Sequence, residues 1–264
     1  MRPIFILLAC ILTSDSVLAE RPQQPLKTSS ENGTKELLKQ QLARNWQPAF
    51  RDDCFEDWRE AWFLDGIKAR VSNNRDGMTI NTADGFAVLW TQREFSGDLK
   101  IEYDFQRVDA YDRGVNIIYI QAQGKDTPGF DLDLSKWSEK RRLAAMKDYY
   151  NNMNTYHISY AAFPNDYIRG RRYMPLLNRG LKGTELAGTM MNTGLFRTGQ
   201  WYHITVIKRN HDMLFEARGE DGGGTCHLVN QDKPAVKQGR IGLRLMPGRE
   251  SLFKNFSVST IDDR

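Results

Sequence analysis

The sequence predicts a single all-β domain, a sandwich of two antiparallel sheets, and three observations carry that expectation. From Trp46 onward the chain falls into short stretches in which apolar and polar residues alternate, and a period of two turns one face of a strand to a core and the other to water. Gly, Asn, Asp and Pro punctuate these stretches at near-regular intervals, as they do in sandwiches. No segment of that region keeps a helical period over a length that would span the domain.

Composition agrees. The 264 residues are 40% hydrophobic, 11% aromatic and 27% charged, enough apolar and ring surface for a core and unlike a disordered chain. A mean hydropathy of −0.58 excludes a multi-span membrane protein. The net charge of +4 is too mild for a dedicated nucleic-acid binder.

Taken in chain order, residues 1–19 read as a signal peptide. Arg2 supplies a positive charge, residues 4–12 are almost wholly apolar, and Val17-Leu18-Ala19 ends in small residues before Glu20. The apolar run is shorter than the roughly 20 residues of a bilayer span, so the expectation is export to the periplasm or beyond. Leu7-Leu8-Ala9-Cys10 resembles a lipoprotein box, but Cys10 comes so early that lipid anchoring is the lesser reading. Residues 20–45 are polar, a tether with one helical stretch at 35–44. Loss of the leader leaves Cys54 and Cys226 in an oxidising compartment, where one disulfide and two isolated buried thiols both fit.

Residues 46–264 form the predicted sandwich. Its expected strands are 69–71, 77–81, 86–91, 101–105, 115–123, 155–161, 201–208, 213–218, 240–245 and 256–260. Two long insertions interrupt the spacing. Residues 125–156 carry a basic stretch at 136–147 and the Tyr149-Tyr150 pair, and residues 164–186 carry Arg169, Arg171, Arg172, Arg179 and Lys182. Long loops in compact domains are often functional, and these two flank the strand that holds Tyr156, His157 and Tyr160.

The common catalytic signatures are absent: no GxSxG, HExxH, phosphate-cradling glycine loop or CxxC occurs. The four histidines lack metal-ligand spacing, so no cofactor is expected, although an oxygen-ligated structural calcium stays open. Three constellations remain. In the first, a strand at 155–161 puts His157 and Ser159 on one face and Tyr156, Ile158 and Tyr160 on the other, so that His157 is a candidate base on an open face, approached by Arg171, Arg172, Arg179 and Lys182. Arginine grips a carboxylate through two N–H groups, and His or Tyr moves a proton. In the second, Glu102 and Asp104 share a strand face, as in the E-x-D-x-x-E strand of jelly-roll glucanases, except that Arg107 stands where the third carboxylate would be. The third is a set of amides and rings, Asn116, Tyr119, Gln121, Gln123, Asn154, Trp90 and Trp137, suited to hydroxyls and sugar faces. Trp46, Trp58, Trp62 and Trp201 read as packing. Arg240, Arg249 and Lys254 read as solvated, and Arg244 as lying on a polar sheet face.

Two resemblances follow. Trp201-Tyr202-His203-Ile204-Thr205-Val206, Gly239-Arg240-Ile241-Gly242-Leu243-Arg244 and Phe253-Lys254-Asn255-Phe256-Ser257-Val258 resemble the closing strands of concanavalin A-like lectin/glucanase domains. Ala122-Gln123-Gly124, Arg142, Tyr150, the run Asn154 to Tyr160, Arg172, Asn178 and Gly183 resemble the YesU-like family over residues 46–262. The resemblance implies a concanavalin A-like jelly roll and a setting among bacterial polysaccharide-utilisation proteins; it carries no established catalytic residues.

The expected function is an exported enzyme cleaving a polysaccharide or oligosaccharide, anionic because so much of the positive charge sits in the two insertions. As a lyase, it would hold a uronate carboxylate with Arg172 or Arg171 and Asn154 or Asn178, and take the C5 proton with His157 or Tyr160. As a hydrolase it would use Glu102 and Asp104. Asn116, Gln121, Arg142, Tyr150 and Arg244 complete the expected substrate contacts. The alternative is a carbohydrate-binding, lectin-like module without chemistry. The lyase reading requires that His157, Tyr160 and two arginines converge on one open groove.

Overall fold

The computed structural model describes residues 31–220 and 222–261; the expected signal peptide and the first part of the tether lie outside the described residues. The chain begins with α1 (Glu31–Leu42), a helix where the sequence placed one at 35–44. The strands follow as β1 (Gln47–Asp52), β2 (Trp62–Asp65), β3 (Arg70–Asn74), β4 (Gly77–Asn81), β5 (Ala87–Thr91), β6 (Phe95–Ser96), β7 (Asp98–Arg107) and β8 (Gly114–Gly124). After a 3₁₀ segment at Leu134–Arg141 and a short helix α2 (Met146–Tyr150) come β9 (Met153–Phe163), β10 (Tyr167–Tyr173), β11 (Met190–Met191), β12 (Trp201–Arg209), β13 (Asp212–Gly219), β14 (Gly222–Leu228), β15 (Gln238–Leu245) and β16 (Glu250–Ile261).

Two antiparallel sheets result. The first runs β14-β13-β12-β7-β16-β4-β3, with β1 also on β16, and the second runs β11-β10-β9-β8-β15-β5-β2, with β6 on β15. All ten expected strands are present. Three of the unforeseen ones have physical reasons. Strand β10 turns Ile168, Gly170 and Arg172 inward, so its inner face has no apolar rhythm to read; β14 opens on three glycines; β2 is four residues long.

Between the sheets lies one core. Ile101, Tyr103 and Phe105 of β7, Ile204 and Val206 of β12 and Phe256 of β16 meet Ile118 and Ile120 of β8, Tyr156 and Ile158 of β9 and Leu243 of β15. Each such side chain contributes about 1.5–3 kcal/mol by leaving water. Cys54 and Cys226 are both free thiols buried in this core, so the structure gives the two-thiol reading and no disulfide. Burial raises both, Cys226 to about 12, which leaves it protonated and inert.

The outer face of the second sheet carries a second core. The insertion after β8 folds back over it, packing Leu134, Trp137, Ala144 and Tyr149 onto Val88, Trp90, Ile117, Tyr119 and Tyr173. Gly242 makes room for this layer, because a Cβ there would stand 2.4 Å from the Trp90 ring. A small third cluster docks α1, through Leu38, onto Ile207 and Leu214 on the outer face of the first sheet. Among the described residues no helix is long and apolar enough to cross a membrane.

Candidate functional site

The insertion seals the face on which His157 was expected to be open. His157 does share its face with Ser159, but it is 2% exposed. Its Nδ1 lies 2.5 Å from the Tyr173 hydroxyl and its Nε2 2.5 Å from Ser159 Oγ. Burial, with the nearby guanidiniums of Arg171, Arg244 and Arg169, holds the ring neutral and well below the usual imidazole range.

Next to it is a buried staple between cap and sheet. Asp65 Oδ2 accepts from Arg141 Nε at 2.6 Å, Trp90 Nε1 at 2.7 Å and Tyr149 Oη at 3.1 Å, all four residues being shut away from water. Burial pushes the Asp65 carboxyl up, against the pull of Arg141 and the two ring donors. Arg244, expected on a polar face, is fully buried between the Phe86 and Tyr149 rings and donates through Nη2 to the Ala144 carbonyl.

Tyr160 and Arg172 point the other way. Strand alternation sends Tyr160 between the sheets, where its ring packs on Phe105, Phe196 and Phe215, and burial pushes its hydroxyl far up. His157, Tyr160 and Arg172 therefore share no groove. The periodicity that placed His157 and Tyr160 on opposite faces already separated them. Glu102 and Asp104 lie on the outer face of the other sheet, Glu102 bound to Lys100 at 2.6 Å and Asp104 to His203 at 2.8 Å and Asn255 at 2.7 Å.

The remaining expected contacts scatter as well. Asn116 joins the two sheets by donating to Ser251 Oγ at 2.9 Å. Arg142 is exposed beside Glu139, and Asn178 is an exposed residue in left-handed conformation closing a short turn. Tyr150 packs edge-on against Tyr173, while Arg171 faces Glu185 at 3.4 Å and Thr184 at 3.2 Å. The basic wall inferred from the insertions is thinned, since Lys136 pairs with Asp131, Arg141 with Asp65, and Arg169 with Glu185, while Lys147, Arg179 and Lys182 stay exposed. Arg240 and Arg249, expected in solvent, are buried against Asp133 and Asp109, and Lys254 lies over the Trp201 ring.

What the fold does bring together is a groove of about 420 Å³ at one end of the sandwich, lined by Gln123, Leu132, Asn154, Arg172 and residues 235–238. That volume lies in the range of small-molecule sites, about 300–1,000 Å³. Gln123, next to last in β8, and Asn154, second in β9, stand directly opposite each other. A register shift between Ile120 and Gln123 puts Gln121 in left-handed conformation, and a bulge of this kind re-aims its side chain. Gln121 Nε2 then donates to the carbonyls of Gly97 at 2.9 Å and Lys237 at 3.1 Å, fixing the loop that forms the far wall. Asn230 secures the same loop, donating to Tyr156 Oη at 3.0 Å and to the Lys233 carbonyl at 2.9 Å.

Arg172 forms the floor. It is 4% exposed, donates through Nε to the Pro234 carbonyl at 2.9 Å and through Nη1 to the Tyr173 carbonyl, and among the described residues has no carboxylate partner. Burial pulls its guanidinium down to about 10, against the influence of Tyr156, which leaves it charged at neutral pH. Around it stand three amides, Gln123, Asn154 and Gln238, the exposed ammonium of Lys237 and the exposed side chain of Leu132. This arrangement can hold an anion deep in the groove and hydroxyl groups along its walls. Sequence reasoning found Arg172, Asn154 and Gln123 but missed Leu132 and residues 235–238. Nothing in the segment 229–237 distinguishes it from an ordinary connection; its role comes from where Arg172 and Gln121 pin it. Among the described residues no group of three or more His, Cys, Asp and Glu side chains could hold a metal ion.

Comparison with known proteins places the fold and the family. A Bacillus subtilis protein of unknown function with a galectin-like fold superposes with a TM-score of 0.66 at 15% identity, over 83% of this chain and 100% of that one. Peanut lectin gives 0.54 at 11% identity, over 84% and 100%, and the exoplasmic/lumenal domain of VIP36 in its Ca²⁺/Man3GlcNAc-bound form gives 0.55 at 11% identity, over 84% and 92%. Likeness at such identity establishes the lectin-like jelly roll alone, which is the fold the sequence resemblances implied. No curated protein matches the chain. The model of one family matches residues 80–256, under another name than the YesU-like one, and the chain therefore belongs to the family described as Domain of unknown function (DUF6250).

Proposed function

We propose that the protein is an exported carbohydrate-binding protein that takes an acidic sugar in the groove over Arg172. The observation that carries this reading is the uncompensated arginine. A buried cation is costly without a counter-charge, and two of the five N–H donors of this guanidinium are used on backbone carbonyls. A carboxylate entering from the open side supplies the missing charge with charge-assisted hydrogen bonds. The amides of Gln123, Asn154 and Gln238 suit sugar hydroxyls, and Leu132 suits the apolar face of a ring. The fold supports the class, since one neighbour is a lectin and another is a Man3GlcNAc-bound form.

Elimination chemistry has less support. No histidine or tyrosine lines this groove, so a lyase base is missing beside the residues proposed to hold a uronate. The test is calorimetric titration with galacturonate and glucuronate oligosaccharides, alongside the same oligosaccharides with carboxyls reduced to alcohols. Binding is expected for the acids alone, without release of unsaturated products or new reducing ends. Equal binding of the reduced compounds would sink the anionic reading, and turnover would restore the enzyme.

A further inference from the structure

We propose a second binding site, beside α1, for a small ring compound that is apolar over its faces and carries a hydroxyl donor. A cavity of about 770 Å³ opens between this helix, the β12–β13 hairpin and the loop after β14, remote in sequence from the walls of the Arg172 groove except at that loop. Leu37, Ile207, Leu214 and Val229 give it apolar walls.

The polar groups that line it define what it takes. Thr34, Leu38 and Gln41 are the buried positions of α1, spaced along one face. Gln41 is 5% exposed and lines the cavity, yet its Oε1 has no hydrogen-bond partner. A buried acceptor left unpaired costs about 1–3 kcal/mol, and a helix that served only to pack would carry Leu or Met there. His227, also in the lining, has its Nε2 at 3.2 Å from Asp212 Oδ2. Burial disfavours the Asp212 carboxylate, but hydrogen bonds from His227 and from the Asn230 backbone prevail and hold its pKa below the ordinary value. The Nδ1 of the same ring is buried and without a hydrogen-bond partner. The unpaired amide oxygen of Gln41 calls for a donor. At the rim the cations of Arg209 and Lys233 are offset by the carboxylates of Asp212 and Asp232, the latter 2.9 Å from Lys233, so no net charge draws an ion and the donor called for is a hydroxyl. Ring atoms against Leu37, Ile207, Leu214 and Val229 provide the apolar part of the affinity.

The experiment uses p-cresol, 4-methylcyclohexanol and toluene as probes, read by the methyl resonances of Leu37, Ile207, Leu214 and Val229, with Val236 reporting on the Arg172 groove. The hydroxylated probes are expected to shift the first four, leave Val236 in place and bind about three- to tenfold more tightly than toluene, the worth of one hydrogen bond. Whichever of the two binds more tightly assigns an aromatic or an alicyclic ring. Gln41→Met should abolish the preference over toluene and Gln41→Glu should keep it. The proposal is overturned if toluene equals the hydroxylated probes on the wild-type protein, if the preference survives Gln41→Met, or if no probe moves those methyls. The wild-type ratio decides the matter even where Gln41→Met does not fold.

Discussion

Two arginines, Arg141 and Arg172, are both buried on the second sheet or its cap, and they do opposite things. Arg141 meets a carboxylate that is itself held by two ring donors, under a lid of aromatic side chains with no route to water. Arg172 donates to backbone carbonyls, lies over the Tyr156 ring and borders an open groove. The contrast teaches that burial of a charge does not by itself mark a functional site. A compensated and sealed charge fixes structure, whereas an uncompensated one at an opening is where a ligand can complete the pairing.

The comparison is broken most severely at Asp65. Asp65→Asn leaves the Arg141 guanidinium buried without its counter-charge, and a loss of about 3–5 kcal/mol in unfolding free energy is expected by urea titration. Uronate binding by the folded fraction should persist. A stability within 1 kcal/mol of wild type, roughly the value of an exposed pair, would show that the cap does not depend on this staple.

Arg172→Gln is the mirror experiment. Removing a charge-assisted contact of about 1.5–3 kcal/mol should weaken uronate binding about tenfold to a hundredfold in calorimetry. A variant that binds as wild type would move the anion site elsewhere.

The sealed face also predicts a pH dependence. His157 is held neutral in the folded protein, whereas in the unfolded chain it takes up a proton near pH 6.5. The unfolded state then binds more protons, so this contribution to stability is complete above about pH 6.5 and falls by about 1.4 kcal/mol per pH unit below it. His157→Gln should flatten that part of the profile. A slope that survives the substitution would assign the dependence to another group.

The smallest effect is expected at the rim. Lys237 is exposed, so Lys237→Gln should lower uronate affinity by about two- to fivefold, and the difference should vanish in high salt. A loss as large as that of Arg172→Gln would mean that the groove closes around its ligand.

These expectations rest on a site that was only partly legible. Alternation along residues 101–105 and 155–161 foretold which side chains enter the core, and it was right for Ile101, Tyr103, Phe105, Tyr156, Ile158 and Tyr160. The same rule placed His157 on the outer face, but period two says nothing of what covers that face. Residues 134–150 cover it, and a lid of 3₁₀ turns and one short helix has no long-range pattern to announce its docking site. Charge was misread for a related reason. A run of basic residues gives a count, and only the fold supplies the partners, such as Asp65 for Arg141 across 76 positions.

By itself, then, the sequence determined the sandwich, its ten principal strands and, along residues 101–105 and 155–161, the side that faces inward, because those follow from local alternation and turn chemistry. It also supplied Arg172, Asn154 and Gln123 as candidates by residue type. The tertiary structure alone decided that the outer face is capped, that His157 is neutral and enclosed, and that Arg172 opens on a groove whose far wall is the loop at 235–238. Those facts depend on contacts between segments distant along the chain, and a compensated charge differs from an uncompensated one only in what the fold brings within a few ångströms of it.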